Sequence, residues 1–242
     1  IRYMIDLDDI VNNVYYGMVT RTDTPLIPGT WTYWNGDYRQ EYNKQLANQL
    51  LDAAGWDQYT ESDTGNQVRC RYNEKGEKAN LHLRFYVYEE QDNSVRVEVA
   101  SRISDSLLQV GIECKVDTIT YKEAVEKLKA GSYDLCLAAY NIDFTPDPGY
   151  MLISGNSGNY TRYKSSEMDT LIQSQLRTAM DYGVYAQTLK EIQNLFWQDC
   201  PLVCLYYRNG AILTRHMLTD ARDVREPQVL RGIQYSKWQG NR

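Results

Sequence analysis

The 242-residue sequence contains three phenylalanines, two histidines (His82 and His216), five cysteines and no long apolar run. Its longest candidate, residues 202–207, is strand-sized, far short of the roughly 20 apolar residues a bilayer-spanning helix needs. Lys and Arg (26) are outnumbered by Asp and Glu (32), for a net charge of −6. No basic stripe is present to neutralise phosphates, which argues against nucleic acid as a partner. Cys70, Cys114, Cys136, Cys200 and Cys204 are odd in number and hold no CxxC pair. That pattern speaks against both a disulfide framework and a zinc ribbon, and leaves buried, small apolar thiols as the expectation. The two histidines lie in separate strand-like segments without a third ligand pattern, so neither a metal nor another cofactor is expected. A catalytic Ser-His-Asp or Cys-His set stays open, but no GxSxG elbow supports one. The chain opens on Ile1-Arg2-Tyr3-Met4, with neither an initiator Met nor a basic-then-apolar leader. This reads as a cut inside a longer protein and is silent on compartment.

What is present is 43% hydrophobic and 24% charged residues, enough to bury one large domain or two small ones. Tyr dominates the aromatics with 21 residues. A ring that packs and also hydrogen-bonds suits a polar ligand cleft as well as an ordinary half-wet surface.

The periodicities define the elements. Asp6 or Asp8 caps a helix through Ile10, Val11 and Val14 that stops at Gly17. A Pro- and Trp-rich stretch, 24–34, reads as a packed loop. Asn43 precedes a helix over 44–54 ended by Gly55. Residues 68–72 and 81–88 read as strands joined by a turn at Glu74-Lys75-Gly76, the second with Leu81, Leu83, Phe85 and Val87 on one buried face. Ser94 opens a helix with Val95, Val99, Ile103 and Leu107 at four-residue spacing. A strand over 112–118 follows, then a capping box at Thr120 and Glu123, a helix to Gly131, and a nearly continuous apolar strand over 133–139. Helices are expected over 166–180 and 184–199, then a strand over 202–207 and a hairpin turning at Asn209-Gly210 toward 211–214.

Strand, helix, strand, helix, strand between 81 and 139 is the order of βαβ units, so the fold class is α/β with a mostly parallel sheet flanked by helices. Ligands in such sheets sit beyond the carboxyl ends of the strands. The loop 140–150, which leaves the last strand, is therefore the first place to look for chemistry. Asp143 and Asp147 read there either as ligand groups or as the turn-formers that Asp often supplies beside Pro and Gly.

Several segments resemble the family 5 extracellular solute-binding proteins, the dipeptide, oligopeptide and nickel binders. Residues 1–17 are similar to that family's Ile-Asp-Arg-…-Ile-Val helix. Tyr42-Asn43, Leu50-Leu51 and Ala54-Gly55-Trp56 resemble its Tyr-Asp-Pro-…-Leu-Leu-…-Ala-Gly-Trp helix, with Asn43 for Asp and Lys44 for Pro. Gly111-Ile112 and Gly131-Ser132-Tyr133-Asp134 match its Gly-Ile and Gly-x-Tyr-Asp passages, and Pro201 to Tyr207 its late Pro-…-Tyr strand. The resemblance implies a class II, periplasmic-binding-protein-like lobe over 1–205, with 206–242 crossing back toward a first lobe. It implies capture of a short peptide or other small solute in a cleft between lobes, for delivery to the permease and ATPase subunits of an ABC importer. The intact protein would be a monomer, periplasmic or lipid-anchored outside the cytoplasm. Asp143 would hold the ligand's α-ammonium, which out of water must meet a fixed carboxylate. Tyr140 would wall the site, with Asn141 and Asp147 beside it. The chain departs from many peptide binders, which carry Trp at Tyr140 and Gly before Asp143, where Ile142 stands here. Other expectations are a nickel chelate or oligosaccharide as ligand, or the sensing domain of a transcriptional regulator.

Overall fold

The computed structural model describes residues 1–34, 38–90, 94–142, 145–210, 215, 218–219 and 232–238. They fall in two compact units, Ile1–Tyr207 and Arg208–Arg242. In the first unit, α1 (Leu7–Asp9) widens into a π-helical turn over Ile10–Val14 and leads to β1 (Val19–Arg21). The Asp6 carboxylate accepts the Asp9 N–H at 2.9 Å, which settles the capping choice. Helix α2 (Lys44–Ala53) follows, capped by Asn43, whose Oδ1 accepts the Leu46 N–H at 2.8 Å. Strands β2 (Gln58–Glu61), β3 (Gln67–Tyr72) and β4 (Lys78–Asn80) form an antiparallel sheet.

The turn at Glu74-Lys75-Gly76 therefore joins β3 to β4, where the sequence suggested a link to the strand over 81–88. That strand, β5 (His82–Tyr88), belongs to another sheet. Helix α3 (Val95–Leu108), β6 (Glu113–Ile119), α4 (Tyr121–Ala130) and β7 (Leu135–Leu137) follow it. Both β6 and β7 pair with β5 in parallel, giving the order β6-β5-β7. The apolar run over 133–139 contributes only three residues to the sheet. Burial on β5 also differs from one-sided alternation: Phe85, Tyr86, Val87 and Tyr88 are all buried. Val87 faces the main core, while the Tyr86 ring lies 4.3 Å below Lys127 of α4 and the Tyr88 ring meets Tyr121 edge-on at 5.3 Å. Helix α4 begins on the capping box of Thr120 and Glu123 and ends on Gly131 at φ +67°, where a Cβ would collide with the Arg162 guanidinium.

Beyond β7 the chain turns helical: α5 (Gly149–Leu152), α6 (Ser166–Thr170), a π-helical continuation over Leu171–Leu176, and α7 (Tyr182–Asp199). These pack a second core from Leu26, Met151, Leu152, Met168, Ile172, Leu189, Ile192 and Phe196. The first core lies against the parallel sheet, with Met4, Leu7, Val99, Ile103, Leu107 and Ile112. The Pro- and Trp-rich loop is packed as expected. Fully buried Gln193 of α7 donates to the Thr32 and Leu189 carbonyls and accepts from Thr24 Oγ1 at 3.0 Å. Strand β8 (Tyr206–Arg208) pairs with β1 and is shorter and later than the 202–207 strand expected. In the second unit, β9 (Leu218–Thr219) pairs antiparallel with β10 (Lys237–Trp238). Residues 211–214, the far arm of the expected hairpin, lie outside the described residues, as does His216.

Candidate functional site

Strands β5, β6 and β7 end at Tyr88, Ile119 and Leu137, and their carboxyl ends set one edge of the sheet. At this edge an open cleft of about 610 Å³ is lined by Glu89, Glu90, Thr118, Ile119, Thr120, Tyr121 and Glu123. Arg96, in the first turn of α3, is buried and pairs with the lining residue Glu90, Nη2 to Oε1 at 2.6 Å, with its guanidinium 4.2 Å from the Tyr88 ring centroid. Its Nε is buried without a hydrogen-bond partner among the described residues. Glu123 is occupied by the α4 cap, accepting from both the backbone and the hydroxyl of Thr120 at 2.8 Å.

Of the residues singled out in the 140–150 loop, Tyr140 is half-buried on the second core. Its hydroxyl donates to the Gly158 carbonyl at 2.8 Å, and its ring stacks on Tyr160 (5.8 Å) and meets Tyr150 edge-on (5.4 Å). Burial pushes the Tyr140 hydroxyl pKa far above its ordinary value and that of Tyr150 up to about 12, so both remain neutral donors. The Tyr150 hydroxyl is itself buried and unpartnered among the described residues. Asn141 is exposed. Asp143 lies outside the described residues. Asp147 is held within the chain: Oδ1 accepts the Gly149 N–H at 2.7 Å and Oδ2 accepts Arg177 Nε at 2.7 Å. Tyr140 and Asp147 thus stand at the two roots of one loop, while the cleft residues around Glu90 and Arg96 stand at the ends of β5 and β6. The sequence reading did not single out Arg96, Tyr150, Tyr160 or Arg177. A Pro- and Gly-bearing loop with Tyr at both ends was the one signal pointing to the aromatic cluster; nothing local marks Arg96 or Arg177.

The sheet edge and the loop root together present phenol hydroxyls, backbone groups and carboxylates, groups suited to hydrogen bonding. Residues 1–162 match the model of the bacterial extracellular solute-binding proteins, family 5, middle region. The chain belongs to the family 5 solute-binding proteins. It is 26% identical over 213 residues to the oligopeptide-binding protein AppA of Bacillus subtilis, a match covering 85% of this chain and 37% of that protein. To the probable D,D-dipeptide-binding periplasmic protein DdpA of Escherichia coli it is 23% identical over 217 residues, covering 86% and 37%. The chain thus spans about 37% of the length of these curated relatives. Among solved structures it resembles AppA in complex with a nonapeptide, with a TM-score of 0.75, 22% identity, and coverage of 99% of this chain and 46% of that one. It also resembles NikZ of Campylobacter jejuni in complex with Ni(L-His), with a TM-score of 0.68, 18% identity, and coverage of 86% and 40%. The periplasmic-binding-protein-like α/β fold expected from the family 5 resemblance is what these structures share.

Proposed function

We propose that this chain is the second ligand-binding lobe of a family 5 protein that captures short peptides for an ABC importer. The reading is carried by the family match over 1–162, which includes both the parallel sheet and the whole loop leaving its carboxyl edge. A short peptide is a fitting ligand for an edge of this kind, since an extended backbone finds hydrogen-bonding groups there and the tyrosines offer apolar walls. In this reading Asp143 receives the α-ammonium, Tyr140 walls the pocket, and Asn141 contacts the peptide from the exposed side. Asp147 braces the loop. Residues 1–205 form the lobe and 206–242 the crossover toward the first lobe, a division supported by the compact units meeting at Tyr207 and Arg208. The intact protein works as a monomer outside the cytoplasm, periplasmic or lipid-anchored. It hands its ligand to permease and ATPase subunits and catalyses no reaction of its own.

The test is calorimetry on the intact protein with a pool of tri- to pentapeptides bearing free amino termini, against the same pool N-acetylated. Binding of the free-amine pool, weakened on acetylation and by Asp143→Ala with an unchanged apo melting temperature, supports the reading. Equal binding of both pools removes Asp143 from the role given it. Absence of binding to either, with a nickel chelate or an oligosaccharide retained in mass spectra of the purified protein, replaces the ligand class.

A further inference from the structure

Asn209 and Gly210 follow directly on β8 (Tyr206–Arg208), in a stretch without regular structure, where the two compact units adjoin in sequence. An Asn-Gly pair at this place reads as a two-residue hairpin turn, whose favoured type I′ form needs a positive φ at both residues. Neither residue adopts it. Both are exposed, and a Cβ built on Gly210 would meet nothing within 4 Å. The peptide group between them therefore lies past the last residue of β8, with open space on its glycine side.

An asparagine carries an amide carbon that the backbone nitrogen of the next residue can reach. Closing Gly210 N onto Asn209 Cγ forms the N–Cγ bond and breaks Cγ–Nδ2. Hydroxide takes the Gly210 amide proton, and the side-chain nitrogen leaves as ammonia. Water then opens the resulting succinimide at one of its two carbonyls, giving aspartate or, where the main chain comes to run through Cγ, isoaspartate. A side chain on the following residue crowds the approach of the nitrogen, whereas glycine has none and has the widest choice of φ and ψ. Among the described residues Asn209 is the one asparagine followed by glycine, while exposed Asn141 is followed by Ile142, branched at Cβ.

We infer that Asn209 is a self-modification site: it deamidates through the Gly210 nitrogen, without an enzyme and with water as its co-reactant. The product places a carboxylate immediately past β8 and, in the isoaspartyl form, one extra carbon in the main chain. Under the peptide-binding reading this link leads toward the first lobe, so the change would lengthen the crossover; the site itself stands whatever the chain binds.

The experiment ages the intact protein in mildly alkaline and in mildly acidic buffer, then cuts both samples with pepsin in acid, where ring closure is arrested. The peptide carrying Asn209 should gain about 1 Da, ammonia lost and water gained, as a covalent change that a mass spectrum reads directly. The gain should be faster than at Asn141 and faster in alkali than in acid, and an isoaspartyl methyltransferase should label the product. Asn35-Gly36, the other Asn-Gly pair of the sequence, lies outside the described residues and is read on its own peptide. Gly210→Ala is accommodated, since the site is open and its φ lies outside the left-handed region. It should slow the gain about tenfold, the factor that ~1.4 kcal/mol of added barrier makes. A gain at Asn209 no faster than at Asn141 overturns the inference, as does Gly210→Ala reacting as fast as the parent. A mass gain without isoaspartyl label overturns it too, because direct hydrolysis of the side chain yields aspartate alone.

Discussion

His82 Nδ1 lies 2.9 Å from Glu113 Oε2, and the two residues are directly opposed across β5 and β6 at the amino end of the parallel sheet. The other carboxylate oxygen of Glu113 accepts from Ser62 Oγ at 3.0 Å, from Asn66 Nδ2 at 2.8 Å and from Thr64 Oγ1, so the turn between β2 and β3 is tied to β6 by one side chain. Burial acts to raise the Glu113 pKa, but the donors from Asn66, Thr64 and Ser62 and the nearby His82 outweigh it and hold the carboxyl below its ordinary value of 4.5.

Because the folded-state pKa is depressed, the stabilisation from Glu113 is fully present above pH 4.5 and is lost as pH falls through the lower folded value. Glu113→Gln should cost about 1–3 kcal/mol at pH 7, the usual loss for hydrogen bonds to a charged acceptor. Urea unfolding of both proteins from pH 7 down to pH 3 checks this. The gap between parent and variant should narrow on acidification, and a gap independent of pH would rule out the carboxylate as its source.

Arg69 is buried to 2% exposure and gathers four acceptors, Val110 O (2.7 Å), Asp52 Oδ1 (2.5 Å), Asn48 Oδ1 (2.9 Å) and the Trp56 carbonyl, with its guanidinium over the Tyr59 ring. Removing the guanidinium leaves the Val110 and Trp56 carbonyls without their donor, so Arg69→Leu should destabilise by about 1–3 kcal/mol for each acceptor left unsatisfied. Arg69→Lys should recover little, since one ammonium cannot span the fan of acceptors. Gly111→Ala should fail at the same spot, because its φ of +79° disfavours a side chain and its Cβ would sit 2.8 Å from Arg69 Cγ. Chemical denaturation reads all three, and an Arg69→Lys variant as stable as the parent would refute the account.

The thiols should be sluggish. Burial, with Asp134 and Glu113 nearby, pushes Cys114 up to about 12; burial pushes Cys136 up to about 11 and Cys204 further still. The thiolate is the reactive form, and a raised pKa keeps it scarce at pH 8. Ellman's reagent should label these three slowly in the folded chain, and all five cysteines of the sequence rapidly in urea. Fast labelling of half-buried Cys114 in the native state would contradict its raised pKa.

Much of this architecture is legible in the sequence where one short stretch decides the outcome. Thr120 with Glu123 announces α4, Asn43 announces α2, and the βαβ order from 81 to 139 announces the parallel sheet. What the sequence hides depends on distant partners. Tyr86 and Tyr88 occupy what reads as a solvent face of β5 and are covered only because Lys127, Tyr121 and Arg96 arrive from elsewhere. Strands β1, β2 and β4 are three or four residues long, with little apolar pattern, and exist by virtue of the strands they pair with. The widened turns at Ile10–Val14 and Leu171–Leu176 leave no mark on a pattern of helical spacing. The loop over 140–150 is marked by its Pro and Gly, but the ion pair at its far end is not, because Arg177 meets Asp147 across thirty residues of chain.

The order β6-β5-β7 also governs how the chain is made. The central strand is synthesised first and both its neighbours lie downstream, so β5 has two bare flanks until Ile119 has left the ribosome and one until Leu137 has. Helix α3 can shield one face in the interval, but the ladder groups of Phe85, Tyr86 and Val87 on the β7 side have no sheet partner before the last three-residue strand appears. A stall or truncation between Ile119 and Leu137 should therefore release a species prone to self-association, while one placed after Leu137 should leave this sheet complete.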